Sequence, residues 1–347
     1  MADFFNSKDL ISDLPVTRAA YSDRTAWLMA ELSRLVYEPL PGAATPQELV
    51  DDLREAIAQG EYEDLLEGFV KKQIRLRGKD YDTIPKALES VDFELVETFA
   101  EDDTEAMLVK LKHKGQTPFL VLVFRGTESF KDACTDAKAP LVPHPDGGRV
   151  HMGFLEAYDK VRKQINEAVA KHKGLPLYIT GHSLGGALAM IATKELGAES
   201  TGATYTFGAP RAADDDFYIG IKTPIYRVVN AADCVARVPF GMGFNLVLGG
   251  IRLIPINYTK KISEWLRRYF SGYTHQGNLV FMNAPEKTCD DCGIEYKDLR
   301  VVCSPNYIWR ASVVISQIVK SGGKAAATDH FIAGYCEKLF ANAMRRR

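Results

Sequence analysis

The sequence predicts an α/β fold, with a mostly parallel central sheet covered by helices on both faces and a helical N-terminal region. Three observations predict it. From about Phe93 onward, short apolar runs of strand length alternate with stretches of helical periodicity, the rhythm of a parallel sheet with crossover helices. The run Phe119-Leu120-Val121-Leu122-Val123-Phe124 contains no polar residue, as a strand buried on both faces requires. A third run, Leu177-Tyr178-Ile179-Thr180, leads through Gly181-His182-Ser183-Leu184-Gly185-Gly186 into the small, helix-forming residues Ala187 to Ala192.

Taken in order, the residues up to about Pro15 read as loosely ordered. Between Arg24 and Tyr37, Ala26, Leu28, Met29, Leu32, Leu35 and Val36 recur at helical spacing, and Pro39 and Pro41 end that helix. A second helical region over Thr45 to Arg75 opens on Thr45-Pro46-Gln47-Glu48, an N-cap followed by proline at the first helical position. Its charges alternate in sign, the mark of a solvated face. Strands follow at Phe93–Phe99, Ala106–Lys112 and Phe119–Phe124, then a helix over 155–172. Further strands fall at Leu177–Thr180, Gly202–Phe207 and Ile225–Asn230. The chain thus divides into a helical region over 1–90, packed on the core, and an α/β domain over 91–347. An excursion interrupts that domain at about 238–272.

Composition narrows the function classes. A formal net charge of −2 gives no electrostatic reason to expect nucleic acid. Met1-Ala2-Asp3-Phe4-Phe5-Asn6 is too polar for a signal peptide, so the expectation is a cytoplasmic protein or one exported without a cleaved leader. The longest apolar region, Val235 to Ile256, is broken by Arg237, Asn245, Arg252, two prolines and several glycines, which argues against a membrane span. Of six cysteines only Cys289 and Cys292 are close. A zinc site would need two more ligands, with Cys303 the one nearby candidate, so free thiols on a turn are the expectation and no metal is called for.

The strand, the tight Gly-x-Ser-x-Gly turn and the helix around Ser183 form a nucleophile elbow. Glycines at 181 and 185 remove Cβ atoms that would block so sharp a turn, and the helix N-terminus beneath Ser183 favours developing negative charge. A serine hydroxyl is a weak nucleophile and needs a histidine base, an acid to orient it, and donors for an oxyanion. On a sheet of this kind the chain order is Ser, acid, His, which leaves His275 and His330 of the seven histidines. Asp233 follows the strand Ile225–Asn230, at the carboxyl edge where open α/β sheets carry their chemistry. The rival acids Asp214, Asp215 and Asp216 read as a solvated loop. The oxyanion donors expected are the backbone N–H of Leu184 and the N–H and hydroxyl of Thr127, beyond the earlier buried strand. His151 and His182 read as packing and hydrogen-bonding residues.

With these residues in view, the chain resembles the class 3 lipases, the family that includes the secreted fungal triacylglycerol lipases. The resemblance covers roughly residues 90 to 340. It rests on Val123-Phe124-Arg125-Gly126-Thr127, Val150-His151-Met152-Gly153-Phe154, Gly181 to Gly186, Phe207-Gly208-Ala209-Pro210-Arg211, Val229-Asn230-Ala231-Ala232-Asp233 and Asp329-His330-Phe331-Ile332. It implies the α/β-hydrolase fold, Ser183 as nucleophile, Asp233 as acid, His330 as base, and Thr127 with Leu184 as the oxyanion hole. Tyr273-Thr274-His275-Gln276-Gly277 matches a different family segment, which favours His330 over His275. It implies hydrolysis of carboxylic esters of lipids, acylglycerols first, through an acyl-enzyme and without metal or organic cofactor. Phospholipase A1 action at a membrane surface is the alternative within that chemistry. A catalytically silent lipase-like binding protein is the alternative outside it.

Two departures from the fungal pattern carry expectations of their own. Ser129-Phe130-Lys131-Asp132-Ala133-Cys134-Thr135-Asp136 stands where those relatives carry a short lid, with Ala133 at the place of a tryptophan, so a less lipophilic lid is expected. The helical N-terminal region looks closer to bacterial members. Within the excursion, Leu246 to Leu253 reads as a hairpin around Gly249-Gly250. Over Lys260 to Phe270, Ile262, Trp265, Leu266, Tyr269 and Phe270 share one helical face, with Lys260, Lys261, Arg267 and Arg268 on the rest. The plainer reading is a helix packed on its own core; the functional one is peripheral membrane contact.

Overall fold

A computed structural model describes residues 4–12, 14, 20–41, 81–112, 115, 117–127, 139–197, 201–238, 272–290 and 293–346. The second helical region expected over Thr45–Arg75, the Ser129–Asp136 segment, the Leu246–Leu253 hairpin and the Lys260–Phe270 helix lie outside the described residues.

Helix α1 (Asp23–Leu35) starts where Ser22 Oγ accepts the Thr25 N–H at 3.3 Å, a side-chain N-cap. A short helix α2 (Thr83–Glu89) leads into β1 (Phe93–Glu101), β2 (Thr104–Leu111) and β3 (Leu120–Phe124). The small hairpin β4 (Leu141–Pro143) and β5 (Arg149–His151) precedes α3 (Met152–Ala170). Then come β6 (Leu177–His182), α4 (Leu184–Leu196), β7 (Thr204–Phe207), the single turn α5 (Asp215–Tyr218) and β8 (Ile225–Asn230). After residue 272 the chain forms β9 (Asn278–Met282), the hairpin β10 (Glu286–Asp290) and β11 (Gly293–Lys297), and β12 (Val301–Cys303). Helices α6 (Tyr307–Lys320), α7 (Ala325–Thr328) and α8 (Ile332–Arg345) complete it.

Eight strands form one sheet in the order β1-β2-β3-β6-β7-β8-β9-β12. The run from β3 through β9 is parallel, and β1, β2 and β12 extend it antiparallel. The alternation of side chains decides which helices cover which face. Met107, Val109, Val121 and Val123 share a buried cluster with Trp27, Leu28 and Leu32 of α1 and Tyr335 and Leu339 of α8. Their neighbours Ala106, Leu108, Leu120, Leu122 and Phe124 point the other way, to Phe154, Tyr158 and Ile165 of α3 and Leu188 and Ile191 of α4. Burying one such large apolar side chain stabilises the fold by about 1.5–3 kcal/mol, and both faces of the sheet are covered in this way. Cys289 lies in strand β10, paired with Ile294, rather than on the turn expected for it; Cys292 is outside the described residues.

Candidate active site

Ser183 sits between β6 and α4 with φ 56° and ψ −129°. An L-residue held at positive φ outside the ordinary wells costs on the order of 1–3 kcal/mol, and the surrounding backbone over-determines it. Ser183 N–H donates to Phe207 O at 2.9 Å and Gly186 N–H to Ser183 O at 3.0 Å. A Cβ on Gly181 would lie 2.3 Å from the Gly185 carbonyl carbon, so only glycine lets the strand and helix meet at this angle. Leu184 is the first residue of α4, whose leading N–H groups have no partner within the helix.

The three residues expected to work together are brought together. His330 Nε2 lies 2.9 Å from Ser183 Oγ, and its Nδ1 lies 3.0 and 3.1 Å from the two Asp233 carboxylate oxygens. Asp233 stands three residues beyond β8 and His330 between α7 and α8. All three side chains are buried. With an ionised carboxylate able only to accept, Nδ1 carries the proton and Nε2 is left to accept from the serine hydroxyl.

Thr127 follows β3 at the same edge. A Cβ on its neighbour Gly126 would lie 3.2 Å from Ser183 Cβ, so the Gly126-Thr127 backbone abuts the serine. Thr127 Oγ1 is buried and has no hydrogen-bond partner among the described residues. An unpaired buried hydroxyl beside a serine is a donor waiting for an acceptor, since leaving one unsatisfied costs about 1–3 kcal/mol.

Several polar neighbours surround the triad, and of these the sequence singled out only His182, as a hydrogen-bonding residue. Tyr335 Oη donates to Asp233 Oδ2 at 2.5 Å and accepts the Asn230 N–H at 3.0 Å. Burial first, then the Asp233 charge, hold its hydroxyl well above the usual tyrosine range, so it remains a donor. Val235 N–H gives Asp233 Oδ1 a further bond at 2.9 Å. His182, inside the elbow, accepts at Nδ1 from Tyr37 Oη (2.9 Å) and donates at Nε2 to the His330 carbonyl (2.7 Å). Burial, and secondarily the adjacent His330, press its pKa well below the usual histidine value, leaving it neutral. Lys338 Nζ, also buried, donates to Asn230 Oδ1 at 2.6 Å and Asn283 O at 2.9 Å; burial lowers it to about 8. Spacing could have flagged Tyr335 alone, five residues after His330 on an apolar helix face. The others are partners only in three dimensions.

The rejected candidates have other partners. His275 is half-buried and bonds Ala236 O at 2.8 Å through Nε2. His151 stacks on Phe154 with ring centroids 3.9 Å apart. Of the solvated loop expected over Asp214 to Asp216, Asp215 and Asp216 are exposed, in the turn α5, but Asp214 is buried, caps α5 by accepting from Phe217 N–H at 3.1 Å, and pairs with Arg149 at 2.8 Å. Two backbone donors and a guanidinium compensate its burial and hold its pKa below the usual carboxylate range.

Residues 121–242, which carry the strand before Thr127, the elbow and Asp233, match the sequence model of the family described as Lipase (class 3). Over those residues the chain is similar to the class 3 lipases. A lipase of Rhizopus niveus is 31% identical over 165 residues, 43% of this chain and 41% of that protein. Secreted mono- and diacylglycerol lipase 1 of Fusarium solani is 39% identical over 101 residues, 27% of this chain and 30% of its own. The chain therefore spans less than half the length of these curated relatives. A crystal structure of mono- and diacylglycerol lipase from Aspergillus oryzae is similar at 18% identity, covering 82% of this chain and 87% of that one with a TM-score of 0.49. Among the described residues no group of three or more His, Cys, Asp or Glu could hold a metal ion. No helix among them is long and apolar enough to cross a membrane.

Proposed function

We propose that this protein is a class 3 lipase, a serine hydrolase that cleaves carboxylic esters of lipids, acylglycerols first, with Ser183 as nucleophile, His330 as base and Asp233 as the orienting acid. The observation that carries the reading is the unbroken hydrogen-bonded chain from Ser183 Oγ through His330 to Asp233. His330 Nε2 takes the hydroxyl proton as Ser183 Oγ attacks the ester carbonyl carbon. The carbonyl oxygen becomes an oxyanion facing the Leu184 N–H and the N–H and hydroxyl of Thr127. Asp233 holds the imidazolium in place until the tetrahedral species collapses, when the alcohol leaves with the proton from Nε2. Water, deprotonated by the same nitrogen, then attacks the acyl-serine and releases the fatty acid. Each oxyanion donor of this type is worth about 10²–10³ in rate.

The choice of lipid rests on the family. The relatives are named lipases and mono- and diacylglycerol lipases, and that supports acylglycerols as the substrates to try here. Hydrolysis of a short-chain triacylglycerol by wild type and Ser183→Ala tests it. Turnover lost in Ser183→Ala, with a fluorophosphonate labelling Ser183 in the wild type, is expected. Activity that survives in Ser183→Ala overturns the mechanism, and an inert, unlabelled wild type returns the chain to a binding role.

A further inference from the structure

Helix α6 carries apolar residues on two sides. Trp309, Val313 and Val314 pack inward against Val229, Ala236 and Phe281, with the Trp309 and Phe281 rings 5.7 Å apart. On the opposite side Ile308 is 77% exposed, Ile315 63% and Val319 73%. Their spacing, i, i+7 and i+11, places the three within an arc of about 40° at 3.6 residues per turn, so they form one stripe. Ser312 and Ser316 lie beside it, also exposed. Among the described residues, nothing packs over this stripe of three branched aliphatic side chains to bury it.

The stretch of chain that carries the stripe is poor in acids. From Leu299 through Thr328, thirty residues, the chain has no Asp or Glu but carries Arg300, Arg310, Lys320 and Lys324. With 45 acidic residues in 347, roughly one in eight, a stretch of that length would ordinarily hold about four. Arg310 lies on the inward side of α6, near Arg227 and Arg237, but Lys320 and Lys324 are exposed at the C-terminal end of the stripe. An aliphatic stripe running toward two cations is complementary to a surface that is apolar below and negative above, the make-up of an anionic bilayer.

The helix also leads to the catalytic base. The Gly322-Gly323 turn joins it to α7, whose last residue is followed by Asp329 and His330. The Gln317 side chain lies near Asp329, and Cys234 N–H, next to Asp233, donates to Ala326 O in α7 at 3.2 Å. Phe331, directly after the base, is itself 56% exposed. A surface held by α6 would therefore present the lipid beside the residues that act on it.

We propose that the Ile308–Ile315–Val319 stripe of α6, with Lys320 and Lys324 at its end, is the surface by which this protein docks on anionic lipid bilayers. The inference rests on the lipid-ester reading above and names the physical state in which that lipid is met. Sedimentation of the full chain with phosphatidylcholine vesicles, with and without a fraction of phosphatidylserine, tests it. The variants are the triple Ile308→Asp, Ile315→Asp, Val319→Asp and the pair Lys320→Glu, Lys324→Glu. Hydrolysis of a soluble short-chain ester serves as the check on fold and triad. The wild type is expected to bind the anionic vesicles at least tenfold more tightly than the neutral ones. Each variant should lose at least tenfold in that binding and keep its soluble-ester rate.

Wild-type protein that ignores both vesicle types, or a triple variant that binds as well as wild type, overturns the proposal. So does a wild-type dimer, seen by sedimentation equilibrium, that the triple substitution dissolves while vesicles go unbound, because a second copy then covers the stripe. Vesicle binding is also measured on Ser183→Ala, since docking needs no turnover. Binding without any ester hydrolysis defeats the proposed activity and leaves the surface standing; hydrolysis without binding does the reverse.

Discussion

Replacing Tyr335 by phenylalanine isolates one atom of the site. The ring stays, packed about 6.1 Å from the His182 and Phe207 rings, and only the hydroxyl is lost. That oxygen gives Asp233 Oδ2 a 2.5 Å bond and satisfies the Asn230 N–H at 3.0 Å. A hydrogen bond to a charged group contributes about 1.5–3 kcal/mol, and an orphaned buried N–H costs about 1–3 kcal/mol. The two losses share an atom and do not simply add, so Tyr335→Phe should destabilise the protein by about 3–4 kcal/mol in urea. Asp233 keeps the Val235 N–H, so the carboxylate is loosened and not lost. The expected fall in kcat is about 10- to 100-fold, or about 1.4–2.8 kcal/mol, against about 10⁴-fold for Asp233→Asn, which imposes the wrong tautomer. A carboxylate with one donor fewer is more basic and holds the imidazolium more tightly. The acid limb of the kcat/KM profile should therefore move to higher pH. Measuring kcat/KM on a soluble ester from pH 5 to 9, beside the urea midpoint, separates the possibilities. Lower stability with an unmoved acid limb and unchanged kcat would mean that Tyr335 is only structural. A loss equal to that of Asp233→Asn would mean that the Val235 N–H cannot hold the acid.

Gly208, at φ 57°, leaves room between acid and base; a Cβ there would lie 2.5 Å from Asp233 Oδ2 and 3.1 Å from His330 Nδ1. Gly208→Ala should thus cut kcat by at least 10-fold and displace the His330 ring signals in NMR spectra, and a variant with wild-type rates would show that the crowding is relieved elsewhere. Thr127→Val removes a buried, unpartnered hydroxyl, so kcat should fall by about 10²–10³ with stability unchanged or raised, while Thr127→Ser retains most of the rate; equal rates in the two variants would take the hydroxyl out of the oxyanion site. His182 has a folded pKa pressed well below its usual 6.5 by burial and, secondarily, by His330. Its neutral ring therefore contributes stability that is complete above about pH 6.5 and is lost as pH falls toward the folded value. Urea midpoints of the wild type should decline below pH 6.5 more steeply than those of His182→Gln, and parallel declines would refute the assignment.

How much of this was legible in the sequence follows from the range of the forces involved. The strands and the elbow are local: β-branched runs, a helix-forming stretch and glycines at 181 and 185 say where the chain must extend, turn and coil. Asp233 was legible because a strand's end fixes its neighbours' position at the sheet edge. The bottom-up choice between His275 and His330 was not, because both follow the acid in sequence. Only the packing of α7 and α8 against β8 decides which ring reaches Ser183. Asp214 was misread for the same reason: three consecutive aspartates look solvated until Arg149 arrives from a hairpin 65 residues away. Tyr37, Asn230 and Lys338 act through buried hydrogen bonds to residues far along the chain, and no local pattern encodes those.

Those long-range bonds also explain why the elbow carries a histidine at 182. Its ring must accept from Tyr37 Oη on one side and donate to the His330 carbonyl on the other. A neutral imidazole offers one acceptor and one donor on opposite edges of a rigid ring, where a lysine offers only donors and a carboxylate only acceptors. The burial that keeps His182 neutral is therefore the condition for its role. Tyr37 follows directly on α1, and α1 is fixed twice: Ser33 Oγ meets Thr180 Oγ1 at 3.0 Å on the strand below the elbow, and Asp23 Oδ1 accepts from Asn342 Nδ2 of α8 at 2.8 Å. Helix α8 in turn carries Tyr335 and follows His330. The N-terminal helix thus grips both the strand that presents the nucleophile and the helix that presents the base. The 2.9 Å separation of Ser183 Oγ and His330 Nε2 is set by that grip as much as by the elbow itself.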